Sequence, residues 1–195
     1  MSDDRYRFYQ QAFPTGDYSF MQLAFVVDDV EAAAHRWVEA HGVGPFFVLP
    51  DNGPARVVHR GVETQLHTRI AVTQAGPLQI ELVQQLSDNA SVFRDLYGSG
   101  EGGAHHLCTL VDDYDVSVAH YARLGYQLAA EQYAPGLGRI GYIDTSAGLS
   151  VMTELVERSP AFLAMLAKTA SVCATWDGTH PIRLPALPAS GKPGG

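Results

Sequence analysis

The sequence predicts an α+β protein: two paired βαβββ modules forming one cupped mixed sheet, followed by a C-terminal helix. Three observations carry this reading. The stretch QLAFVVDDVEAAAHRWVEAHG repeats as HLCTLVDDYDVSVAHYARLG at an offset of about 84 residues. Each copy passes from a short apolar strand through a helical segment into further strand-like runs bounded by turn formers. A chain of 195 residues, 46% apolar, is long enough to build a core shared by two such modules.

The expected division is an N-terminal extension (1–17), a first module with a linking helix (18–97), a second module (98–158), a C-terminal helix and turn (159–183) and a flexible tail (184–195). The first strands are expected at 23–27 and 107–111. Asp28 with Glu31, and Asp112 with Asp115, suit an N-cap followed by an acidic residue in the first turn, where the helix dipole favours negative charge. Gly42 and Gly125 supply the C-terminal stops. Further strands are expected at 46–49, 62–73 and 78–85, and in the second copy at 126–133, 138–144 and 149–156. A short helix over 89–97 and the glycine-rich connector 98–103 join the copies. Ser159 and Pro160 start a helix running to about Ala174, with Phe162, Leu163, Leu166 and Val172 as its packing face. The tail LPALPASGKPGG is too rich in proline and glycine to order itself.

Several classes of function are disfavoured. No apolar run approaches the roughly 18 to 20 residues of a membrane span. The net charge is -8, the pI is near 5.3 and the basic residues are scattered, so neither nucleic acid nor an anionic membrane is expected as partner. The first residues lack a cationic start ahead of an apolar stretch, and a cytoplasmic location is expected. Cys108 and Cys173 show no CxxC spacing and read as reduced, buried residues.

The chemistry follows from the duplication. A lone module leaves one sheet face open, so two must pair, and equivalent positions on their first and last strands then meet around one point. The offset sets Gln22 against His106 in the first strands, and laying the last strands QIELVQQL and SVMTELVE over one another sets Glu81 against Glu154. Taken singly, His106 would be a hydrogen-bonded core histidine and either glutamate a strand-edge residue. A glutamate in the middle of an apolar strand is costly to bury ionised without a cation, and here two occupy matching places. Gln22, Glu81, His106 and Glu154 offer three oxygens and one imidazole, a set suited to one divalent ion such as Zn²⁺, Ni²⁺, Co²⁺, Mn²⁺ or Mg²⁺ with water in the open positions. Glu81 and Glu154, on opposite sides of the expected cleft, are the candidate catalytic carboxylates. Phe47, His67, His105, Tyr133 and Tyr142 are candidate substrate contacts, and their aromatic character favours a hydrophobic carbonyl compound. The remaining histidines have no counterpart in the duplication.

The segments MQLAFVVDDVEAA, IELVQQL, GAHHLCTLVDDYD and VMTELVE, over about residues 18–158, resemble the vicinal oxygen chelate superfamily, which includes glyoxalase I, methylmalonyl-CoA epimerase, bleomycin-resistance proteins and extradiol dioxygenases. IELVQQL leading through a short helix into GAHHL is most similar to the glyoxalase and epimerase branch. The resemblance implies metal ligands on the first and last strand of each module, which fall here on Gln22, Glu81, His106 and Glu154. The family often has histidine in the place of Gln22, although some glyoxalase I enzymes have glutamine there. A metal-dependent isomerase, epimerase or glyoxalase-like lyase is therefore expected, working by proton transfer α to a carbonyl, as a homodimer. A metal-free binding or resistance protein is the alternative. An extradiol dioxygenase, which needs two histidines and a carboxylate, fits less well with Gln22.

Overall fold

A computed structural model describes residues 20–134 and 137–184, so the predicted extension 1–17 and residues 185–195 of the tail lie outside the described residues. The first module runs β1 (Gln22–Val26), α1 (Val30–His41), β2 (Phe46–Val48), β3 (Ala55–His59), β4 (Val62–Leu66), β5 (Thr68–Ala75) and β6 (Leu78–Gln85), with α2 (Val92–Leu96) linking onward. The second runs β7 (Gly103–Val111), α3 (Tyr114–Arg123), β8 (Gln127–Ala134), β9 (Gly138–Asp144), a short α4 (Ser146–Leu149) and β10 (Met152–Glu157). Helix α5 (Pro160–Ala174) and the short β11 (Ile182–Arg183) complete the described chain.

Both module helices start one residue later than the capping pattern predicts. Asp29 accepts a hydrogen bond from the Ala32 amide at 2.9 Å, and Asp113 from the Val116 amide at 3.0 Å. The second aspartate of each pair is thus the cap, and Asp28 and Asp112 precede it. Gly42 closes α1 at φ 64°, and Gly125, at φ 88°, follows the end of α3, as expected. Ser159 caps α5, accepting from the Phe162 amide.

The strands form one sheet in the order β11-β2-β5-β6-β1-β7-β10-β9-β8-β3-β4. Its centre is the antiparallel β1–β7 pair, in which Gln22 faces Cys108 and Ala24 faces His106. On each side a last strand adds in parallel: Glu81 of β6 pairs with Ala24, and Glu154 of β10 with Cys108. These pairings match strand for strand between the two copies, so the duplication is a structural two-fold. One sheet face is covered by α1 in the first module, over Val30, Ala34, Phe46 and Leu82, and by α3 in the second, over Tyr114, Ile143 and Leu155. The other face is continuous across both modules. Val26, Val83, Cys108, Tyr142 and Met152 lie on it, packed with Phe93 of α2 and with Phe162, Met165 and Leu166 of α5. Leu163, expected on the packing face of α5, is 38% exposed instead.

The expected strand 62–73 breaks at His67 into β4 and β5. Before it lies the unforeseen β3, which pairs with β4 around a turn whose central residues, Arg60 and Gly61, both have positive φ. That hairpin leaves its own module and adds to the edge of the other, with Val58 opposite Glu131 and His59 opposite Ala130. Arg60 secures it by hydrogen bonds to Asp95 (3.0 Å) and Asp144 (2.8 Å).

The glycine connector is also more constrained than its composition suggests. Gly103 already belongs to β7, and a Cβ on Gly102 would overlap the Val26 carbonyl oxygen of β1. Backbone cannot yield as a side-chain tip can. Gly102→Ala is expected to destabilise the protein by roughly 1–3 kcal/mol, which for this size lowers the melting temperature by roughly 2–4 °C per kcal/mol. An unchanged thermal midpoint would show that β1 and β7 can separate there without cost. Both cysteines are free, Cys108 fully buried and Cys173 partly so. Among the described residues no helix is long and apolar enough to cross a membrane.

Candidate active site

Strand register brings the predicted residues together. Glu81 and His106 pair with Ala24 from opposite sides, and Glu154 lies beside His106's own strand, opposite Cys108. Alternation puts their side chains on the face shared by both modules. His106 Nε2 stands 3.2 Å from a Glu81 oxygen and 3.4 Å from a Glu154 oxygen. The imidazole is fully buried, and the two carboxylate side chains are 12% and 8% exposed. Neither approach has the geometry of a hydrogen bond, so Nε2 meets the two carboxylates as an ionic neighbour with no hydrogen-bond partner. Gln22 is buried on the same face, donating from Nε2 to Gln79 Oε1 at 2.8 Å, and Gln79 Nε2 is in turn without a partner.

The other ring nitrogen of His106 meets His105. Their Nδ1 atoms are 2.9 Å apart, and His105 Nε2 is 3.0 Å from the Val92 carbonyl oxygen. His105 is wholly buried, with the ring of Phe93 at 4.8 Å and that of Tyr142 at 6.2 Å between centroids. The Tyr142 ring also stands 5.2 Å from His106.

The charges are strongly linked. Burial works against a charged His106, but the negative Glu154 and Glu81 outweigh it and lift its pKa to about 9. Burial raises Glu81, only partly opposed by His106. Burial would raise Glu154 as well, but His106, with help from Tyr142 and Cys108, holds it below the ordinary carboxylate value. Burial and the neighbouring His106 push His105 down to about 3, and it is neutral.

Of the remaining sequence candidates, Tyr142 and His105 are in the cluster. Phe47 pairs with Val72, which pairs with Glu81, so it continues the same row toward the sheet edge. His67 is not part of the cluster: it bonds Asp51 at 2.7 Å and lies just before β5, five residues from Val72, roughly 17 Å at strand rise. Tyr133 also falls outside, 71% exposed: Tyr142 pairs with Ala130, and Tyr133, three residues further along β8, points to the opposite face. Gln79 was not anticipated, although its place two residues before Glu81 on one strand gives it the same face.

Among the described residues no three His, Cys, Asp or Glu side chains form a ready metal-binding group. The donors nevertheless fit one. Ligands held at about 2.0–2.2 Å on a tetrahedral or octahedral ion are about 3 to 3.5 Å apart, the spacing His106 Nε2 keeps from both carboxylates. Its unpartnered nitrogen and two negative neighbours make a donor set that a divalent cation would complete.

A profile described as the Glyoxalase/Bleomycin resistance protein/Dioxygenase superfamily matches residues 21–142. The chain belongs to that superfamily. The matched span holds Gln22, Glu81 and His106 and stops short of Glu154. No curated protein matches the chain. Among solved structures of the superfamily fold, it is similar to a hypothetical protein of Bacillus halodurans (TM-score 0.54, 15% identity, 72% of this chain and 94% of that one). It is also similar to methylmalonyl-CoA epimerase from Mycobacterium tuberculosis (TM-score 0.53, 18% identity, 75% and 91%). A third is a methylmalonyl-CoA epimerase in complex with methylmalonyl-CoA and NH4+ (TM-score 0.50, 17% identity, 73% and 96%). At these identities the likeness concerns the fold.

Proposed function

We propose that this protein is a metal-dependent isomerase, epimerase or glyoxalase-like lyase that moves a proton at carbon α to a carbonyl of a hydrophobic small molecule. The observation that carries this is His106 Nε2, buried with no hydrogen-bond partner between two buried carboxylates contributed by the two halves of the duplication. His106, Glu81, Glu154 and the side-chain oxygen of Gln22 would hold one divalent ion, which supplies Lewis-acid polarisation of a substrate oxygen worth several kcal/mol.

The chain's own groups then divide the work. Glu154 is steadied by His106, Tyr142 and Cys108, whereas Glu81 has His106 as its one stabilising neighbour and reaches further toward solvent. Glu81 is thus the carboxylate able to turn and take the proton. Gln79 Nε2 can donate to a substrate oxygen, and the apolar residues around Tyr142 and Phe93 exclude water.

The test is deuterium uptake from heavy water into 2-oxo compounds, hemithioacetals and acyl thioesters, including methylmalonyl-CoA, the ligand of one structural neighbour. Exchange should disappear on chelation and return with Co²⁺, Ni²⁺ or Zn²⁺. Glu81→Gln, which keeps an oxygen donor but cannot accept a proton, should lose roughly 10²- to 10⁴-fold. If nothing exchanges while a hydrophobic ligand binds tightly without metal, a binding or resistance protein is the correct reading.

A further inference from the structure

We infer that His105 is a positioning residue that fixes which nitrogen of His106 carries a proton and which faces the carboxylates. The inference rests on the proposed site for its purpose but not for its geometry. The Val92 carbonyl can only accept a hydrogen bond, so His105 Nε2, 3.0 Å away, must be the donor. An imidazole enclosed by Phe93 and Tyr142 and bonded in this way is neutral, and a neutral ring with its proton on Nε2 has a bare Nδ1. That bare Nδ1 lies 2.9 Å from His106 Nδ1, which must therefore donate. With its Nδ1 committed as N–H, His106 turns its Nε2 to Glu81 and Glu154, so that Nε2 is the nitrogen that exchanges its proton for a bound ion. The chain of donors runs from His106 Nδ1 to His105 Nδ1 and from His105 Nε2 to a backbone carbonyl in α2, so a secondary-structure element anchors it.

Such an arrangement serves a metal-ligating imidazole in two ways: it selects the tautomer and it locks the ring plane. Nothing in the duplication foreshadows it, because the first module carries Met21 where the second carries His105. In that first module the corresponding task falls to Gln79, which accepts from Gln22 Nε2 and so turns the Gln22 oxygen away from itself. The two proposed ligands on the central strands thus each donate to a supporting side chain and turn their other polar atom away from it.

Two substitutions separate the functions of His105. His105→Asn retains an oxygen acceptor near the place of Nδ1 and loses the reach to Val92; His105→Gln retains a donor for Val92 and loses the acceptor. Nitrogen-15 histidine spectra of the metal-free full chain should show an acceptor-type His105 Nδ1 joined by a scalar coupling across the hydrogen bond to a protonated His106 Nδ1. Metal affinity, measured by competition with a chromogenic chelator using Zn²⁺ and Co²⁺, should fall roughly 10- to 100-fold in His105→Gln and stay within a few-fold in His105→Asn. A protonated His105 Nδ1, or no coupling in the wild type, would overturn the assignment. Equal losses of affinity in both variants would reduce His105 to a structural role and would also overturn it. The coupling present in a wild-type protein that binds no metal would uphold the orientation of His106 while removing the metal reading.

Discussion

Glu154→Ala is expected to strip the protein of a divalent metal that the wild type, purified without chelator, carries at close to one equivalent per chain. The reason is the balance of charge around His106. Two buried glutamates face one imidazole, and an ion of charge two neutralises both carboxylates while taking up the unpartnered Nε2. Changes to residues that merely support a ligand cost roughly 10- to 100-fold in affinity, so loss of a direct ligand should exceed that. Glu81→Ala should behave alike, since the two positions are related by the two-fold. Elemental analysis and calorimetric titration read the result. Unchanged metal content in both variants would mean that the carboxylates are not ligands.

In the metal-free protein His106 and His105 should each contribute a few kcal/mol of stability near pH 6.5 that is lost on the alkaline and the acid side respectively. His106 gains its carboxylate partners on folding, and its pKa rises from 6.5 to about 9. The folded state therefore holds a proton that the unfolded chain gives up, and the stability this confers is complete below pH 6.5 and lost as pH rises through 9. His105 moves the other way, from 6.5 to about 3. There the unfolded chain takes the proton first, so stability present above pH 6.5 is lost as pH falls toward 3. Each shift spans several pH units at about 1.4 kcal/mol per unit. Denaturant unfolding across this range should show His105→Asn losing the acid slope relative to wild type, and saturating metal, which keeps the proton off His106, abolishing the alkaline slope. A flat profile from pH 6.5 to 9 in the metal-free protein would contradict the ion-paired state of His106.

The sequence by itself determined the two-fold and the residues that meet at its axis. Each copy of the repeat carries its hydrophobic alternation with it, so once β1 and β7 pair and each last strand joins its own first strand, Gln22, Glu81, His106 and Glu154 share a face. Helix stops at glycine and the serine–proline start of α5 were equally readable, because capping is local chemistry. What crosses between modules was decided only in three dimensions. The β3–β4 hairpin turns at Arg60–Gly61, which lacks a strong turn signature, and finds its partner β8 in the other half of the chain. The register of β8 on β9 that sets Tyr133 outward, the break at His67 and the added β11 likewise answer to the neighbouring strands. The tautomer of His106 also depends on tertiary structure, since it requires the Val92 carbonyl, 13 residues before His105, to be brought against that ring. Periodicity fixes which face a side chain takes; only packing fixes what it touches there.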